Sequence, residues 1–131
     1  MTQLQSRSEV FGDVDQRWIG SADGTDTART VTLDYTAWAS KTLNHRIKGG
    51  EAIAFSTATT PGKWVPYASA GADGTNVLRG FLLNDIPVVP GAGNIVAPMM
   101  DEGRIILKYL PSPVAANATQ TGFFRLIDVT A

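Results

Sequence analysis

Short apolar runs separated by turn-forming residues fill the stretch from Gly49 to Leu110, and they confine the chain to a fold made of short strands. The runs are Glu51–Phe55, Lys63–Tyr67, Val77–Leu83 and Arg104–Leu110, each of strand length. The intervals hold Gly, Pro, Asn or Asp, residues that accept the dihedral angles of tight turns. With 13 glycines and 7 prolines in 131 residues, nearly every long window contains a helix breaker. The expected fold is mostly β: a small barrel or sandwich-like single domain.

The flanks of this stretch add detail. Residues 29–35 alternate strictly, with Val31, Leu33 and Tyr35 on one side and Thr30, Thr32 and Asp34 on the other, the pattern of a half-buried strand. Thr36–Leu43 reads equally as a helical turn or as extended chain. Gly80 interrupts an apolar run, where glycine marks a bulge or a close backbone approach. Ile86-Pro87-Val88-Val89-Pro90 reads as a sheet edge, because two prolines cannot donate to a ladder. Asp101-Glu102-Gly103 reads as a turn. Ser112 is placed to cap one short C-terminal helix over Val114–Thr119, with Pro113 at its first position and Gly122 at its end. Phe123–Val129 is expected as the last strand, with Phe123, Arg125 and Ile127 opposite Phe124 and Leu126.

Residues 1–35 are expected to form a flexible, extended N-terminal arm that includes the alternating strand, and residues 36–131 the β-rich body. The first 29 residues are too polar to bury the apolar surface that would offset the entropy of ordering, roughly 1–2 kcal/mol per residue for the backbone. Their one aromatic island is Arg17-Trp18-Ile19, besides Val10-Phe11. Trp18 admits two readings: a side chain folded back onto the core, or an anchor that orders only against a partner.

Little in the sequence points to catalysis. His45 is the single histidine and has Asn44 and Arg46 beside it, so no imidazole is set up as a base for a serine, and with no cysteine a zinc site lacks ligands. The acidic pairs Asp13/Asp15, Asp23/Asp26 and Asp101/Glu102 do not follow the spacing of a calcium loop. No cofactor is expected. A net charge of −1 argues against nucleic acid as a partner, although Lys63, Trp64, Tyr67, Arg79, Arg104 and Lys108 are the set a single-strand binder would use. No apolar run reaches the ~18 residues of a membrane span, and the first residues do not read as a signal peptide, so synthesis in the cytoplasm is expected.

Several motifs, taken in order, resemble the lambda-like head-decoration proteins of tailed bacteriophages. They are Lys48-Gly49-Gly50-Glu51-Ala52-Ile53-Ala54, Pro61-Gly62-Lys63-Trp64-Val65-Pro66-Tyr67, Asp73-Gly74, Gly80-Phe81-Leu82-Leu83, Gly103-Arg104-Ile105-Ile106 and the closing strand from Phe123. The resemblance covers roughly residues 45–131. It implies a homotrimer on the outer surface of the virion, bound to the major capsid protein after the head expands and holding the shell against the pressure of packaged DNA. It also implies that the N-terminal arm orders on the capsid and adds a strand there, with Trp18, Ile19, Val31, Leu33 and Tyr35 as the capsid-facing contacts. The alternatives are a virion-displayed β-module that binds glycans or the host surface through exposed tryptophans, a small hydrolase dependent on His45, and a single-stranded nucleic-acid binder.

Overall fold

The computed structural model of the chain describes residues 17–20, 28–91, 93–121 and 123–128. Five strands close into a barrel: β1 (Arg29–Leu33), β4 (Ala52–Ser56), β5 (Lys63–Pro66), β6 (Gly80–Leu82) and β8 (Ile95–Met100), in the order β1–β5–β4–β6–β8. The expectation of a mostly β, barrel-like fold is met. A second sheet holds β2 (Thr42–Leu43), β3 (Arg46–Ile47) and β7 (Ile86–Pro87), and a third pairs β9 (Glu102–Ile106) with β10 (Phe123–Ile127).

The apolar runs are continuous because their strands separate two cores. Ile53, Leu82 and Met99 point into a cluster with Val31, Leu33 and Trp38. Their neighbours Ala52, Phe81 and Met100 point the other way, into a cluster with Trp18, Leu78, Ile105 and Phe124. A strand buried on both faces has no need of polar alternation. β1 keeps its alternation because only Val31 and Leu33 turn inward, while Thr30 and Thr32 face solvent. In the second cluster Phe81 meets Phe124 edge to face at 5.0 Å, a geometry that suits the aromatic quadrupole, and packs tilted against Trp18 at 5.8 Å.

Closure of the barrel is uneven. All five residues of β1 pair with β8, but β1 and β5 run parallel and share only Leu33↔Trp64. On that side residues 29–32 have no strand neighbour among the described residues.

Four local expectations need correction. The helix expected over Val114–Thr119 is not formed: residues 116–117 make a turn, and Leu78 draws the following chain into a bridge. There Leu78 N–H donates to Thr119 O at 2.8 Å and Thr121 N–H to Leu78 O at 3.0 Å, bonds that a helix would forgo; Gly122 lies outside the described residues. Glu102 and Gly103, expected in a turn, begin β9, with Gly103 at φ 133°. The run from Arg104 to Leu110 leaves the strand after Ile106 and becomes a 3-10 turn, Leu107–Tyr109. The arm boundary placed after residue 35 cuts through the body, since residues 29–33 are a barrel strand and residues 18–20 pair with β9. Gly20 N–H donates to Arg104 O at 2.8 Å and Ile106 N–H to Trp18 O at 2.7 Å. The remainder of the expected arm, residues 1–16 and 21–27, lies outside the described residues, as does Val129.

Thr36–Leu43 combines both of its readings: a 3-10 turn over Ala37–Lys41 that buries Trp38, then β2. Asn44 and His45 sit at φ 53° and 61° between β2 and β3, the left-handed pair of a two-residue hairpin turn.

Candidate functional site

The five residues expected to face a partner fall into two groups. Trp18, Val31 and Leu33 are buried in the chain's own cores at 0%, 3% and 0% exposure. Ile19 and Tyr35 are half-buried and pack at the margins of those cores. Of the two readings of Trp18, the core side chain is the one observed. The signal was Gly50: a Cβ built there would lie 2.9 Å from Trp18 Nε1 and 3.0 Å from Pro111 Cδ. Only glycine lets the indole seat so close to the backbone.

One cluster has the composition of a reactive site and needs a chemical reading. Lys41 Nζ donates to Ser112 Oγ at 3.0 Å, and Ser112 Oγ donates to Glu51 Oε2 at 3.1 Å. The ammonium and the other carboxylate oxygen are 3.8 Å apart. A lysine activates a serine by accepting its proton as a neutral amine. Here Lys41 donates to the serine and its charge is matched by Glu51, so the arrangement works as a clamp. It ties the 3-10 turn carrying Lys41, the start of β4 and the Pro111–Pro113 corner into one unit. Glu51, only 7% exposed, has its charge compensated inside the protein. Glu51→Ala is expected to lower stability by about 2 kcal/mol, reduced from a fully buried pair because Lys41 reaches solvent. Glu51→Gln, which keeps the shape, should lose less. Urea denaturation midpoints of the two variants check both.

His45 stands exposed at its hairpin turn. Among the described residues no group of three or more His, Cys, Asp or Glu is placed to hold a metal ion. No helix among them is long and apolar enough to cross a membrane.

The concave surface of interest lies at the open seam between β1 and β5. On one flank is a groove of about 370 Å³ whose wall includes Arg29, Trp64, Arg79, Asp101, Glu102 and Phe123. A second groove of about 530 Å³ continues along β1 past Thr30 and Thr32 to the Thr59–Gly62 corner. Trp64 and Phe55 stack edge to face at 4.9 Å. The Arg29 guanidinium lies 5.5 Å from the Trp64 ring and that of Arg79 5.8 Å from the Phe55 ring. The result is a row of guanidinium, indole, phenyl and guanidinium, held together by cation–π attraction. The buried Arg79 Nε–H has no acceptor. In the sequence Lys63 and Trp64 belong to the Pro61–Tyr67 motif, and with Arg79 to the set a single-strand binder would use. Arg29 was missed, because its proximity to Trp64 depends on the parallel closure of the barrel.

No family model, curated protein or solved structure matches the chain.

Proposed function

We propose that this chain is a capsid-decoration protein of a tailed bacteriophage. It assembles as a homotrimer and binds the major capsid protein on the outside of the expanded head. The observation that carries this reading is the order of the resembling motifs over residues 45–131. Lys48–Ala54 leads into β4, Pro61–Tyr67 contains β5, Gly80–Leu83 contains β6, Gly103–Ile106 lies in β9, and the closing motif is β10. The motifs thus belong to the strands and turns of one body.

The mechanism is linkage. A protein that binds only the expanded lattice stabilises it in proportion to occupancy and affinity. A trimer engaging several capsid subunits at once gains further through effective concentration. Large apolar side chains stand exposed at Leu43, Val89, Val96 and Phe123, on three different sheets or their margins, which suits a body that touches several neighbours. Ile19 and Tyr35 remain candidates for direct capsid contact, while Trp18, Val31 and Leu33 hold their segments from the inside. The glycan-binding alternative has fewer aromatic platforms to draw on, since Trp18 and Trp38 are fully buried.

The test is sedimentation of the purified protein alone and after mixing with expanded and unexpanded phage heads. A trimer that co-sediments with expanded heads only is expected; a strict monomer that ignores both would overturn the reading. Deleting residues 1–35 would remove β1 and unfold the barrel, so the informative truncation stops at residue 16. That variant should remain folded and bind expanded heads more weakly.

A further inference from the structure

We propose that the seam between β1 and β5 is a docking groove for an extended peptide segment bearing a carboxylate side chain, supplied by a partner protein and received by Arg79 and Arg29. The proposal rests on the decoration reading only for the identity of the partner, a capsid subunit.

Three observations converge on it. The first is the unmet donor. The Arg79 backbone is fixed by its N–H bond to Ile53 O at 2.8 Å, and its buried Nε–H lacks an acceptor. A buried polar group without a partner carries a desolvation penalty, larger for a charged group. An incoming carboxylate offers the planar pair of oxygens that a guanidinium fork matches. The second is the backbone. Among the described residues β1 meets β5 at Leu33↔Trp64 alone, and that side of residues 29–32, which has no strand neighbour among them, can pair with an added strand. The third is the wall of the groove. Trp64 lines both grooves of the seam and Phe55 the second, each beside a guanidinium group, and Phe123, 82% exposed, lines the first. Such a surface suits apolar side chains flanking the acid.

The same groove narrows the class of ligand. Asp101 and Glu102 line the same groove, and Glu102 has interactions of its own. A phosphate dianion or a nucleic-acid backbone would meet their repulsion, whereas a peptide places one monoanionic side chain against the arginines and neutral groups elsewhere. The occupant is therefore an extended protein segment.

The probe is a synthetic peptide with blocked ends that alternates Val or Thr with Glu, set against the same peptide with Lys in place of Glu. Binding to the full chain is read by tryptophan fluorescence and by the Nε–H resonance of Arg79. Trp18 and Trp38 are fully buried, so half-buried Trp64 dominates the fluorescence response. The Glu peptide is expected to bind saturably and to move the Arg79 Nε–H signal, and the Lys peptide to do neither. Arg79→Met, which keeps the aliphatic stem, should weaken binding about tenfold or more, the loss of one charged hydrogen bond. Arg125→Met, on the exposed side of β10, should leave it unchanged. Equal binding of both peptides, or undiminished binding by Arg79→Met, overturns the groove. So does a result in which the peptides fail to bind and Arg79→Met alters self-association, which would make a second copy the occupant. The two readings separate cleanly. Peptide binding without binding to expanded heads leaves the groove standing and removes the decoration reading. Head binding that is indifferent to Arg79→Met, with no peptide binding, removes the groove alone.

Discussion

Trp18→Ala should bring the protein close to global unfolding. The indole is fully buried, meets Phe81 at 5.8 Å, and occupies a seat that Gly50 leaves open for it. Truncating a buried tryptophan costs about 3–5 kcal/mol, transfer free energy and cavity together. Folded domains hold roughly 5–15 kcal/mol in total, so one side chain near the N-terminus accounts for a large share. The measurement is a urea unfolding curve with near-ultraviolet circular dichroism, since loss of aromatic packing shows directly in that signal. An unchanged midpoint would mean that residues 17–20 are not part of the folded body. That outcome would restore the view of Trp18 as an anchor kept for a partner.

Gly80→Ala carries the second large expected effect, for a different reason. A Cβ at position 80 would lie 2.6 Å from Met99 Cγ and 2.7 Å from Met100 O. The methionine side chain is flexible and can move aside, but the carbonyl belongs to β8 and is held by the barrel. Relief therefore requires shifting β6 away from β8, where Phe81↔Met100 and Leu82↔Met99 pair. Overpacking of this kind costs about 1–3 kcal/mol, and the upper part of that range is expected because backbone is involved. Gly91→Ala is the contrast: nothing lies within 4 Å of the added carbon, but φ is +81°. Its cost should be about 1–2 kcal/mol, from the left-handed conformation alone. Thermal midpoints of the two variants separate crowding from torsional strain.

What was legible in the sequence was whatever depended on neighbours along the chain. The period-two pattern of residues 29–35 placed Val31 and Leu33 on the inner face, and glycine inside an apolar run marked the close approach at Gly80. Two prolines pointed to an edge at Ile86–Pro87, which among the described residues pairs only with β3. What was not legible depended on contacts between distant segments. The missing helix at Val114–Thr119 had sound local signals, a serine cap and a proline at the first position. It lost to the bridge between Leu78 and Gln120 and to the Gln120 side chain, which accepts from Phe124 N–H at 3.0 Å and donates to Phe124 O at 3.2 Å. The parallel pairing of β9 with β10 leaves no trace in either strand's composition. The row of Arg29, Trp64, Phe55 and Arg79 joins four strands or their margins, and no sequence spacing announces it. Trp18 was ambiguous because its polar surroundings argue for a loose segment, whereas the space left at Gly50, 32 positions along the chain, decides the matter.

A ring joined at one weak rung behaves like a clasp. Strain applied across this body would concentrate at Leu33↔Trp64, while the antiparallel neighbours on every other side stay fastened. Opening there would uncover Leu33 and loosen Trp64, so it would engage the core those side chains share and leave the cluster around Trp18 and Phe81 closed. Amide hydrogen exchange would register it as early opening along residues 29–32, ahead of the doubly buried strands.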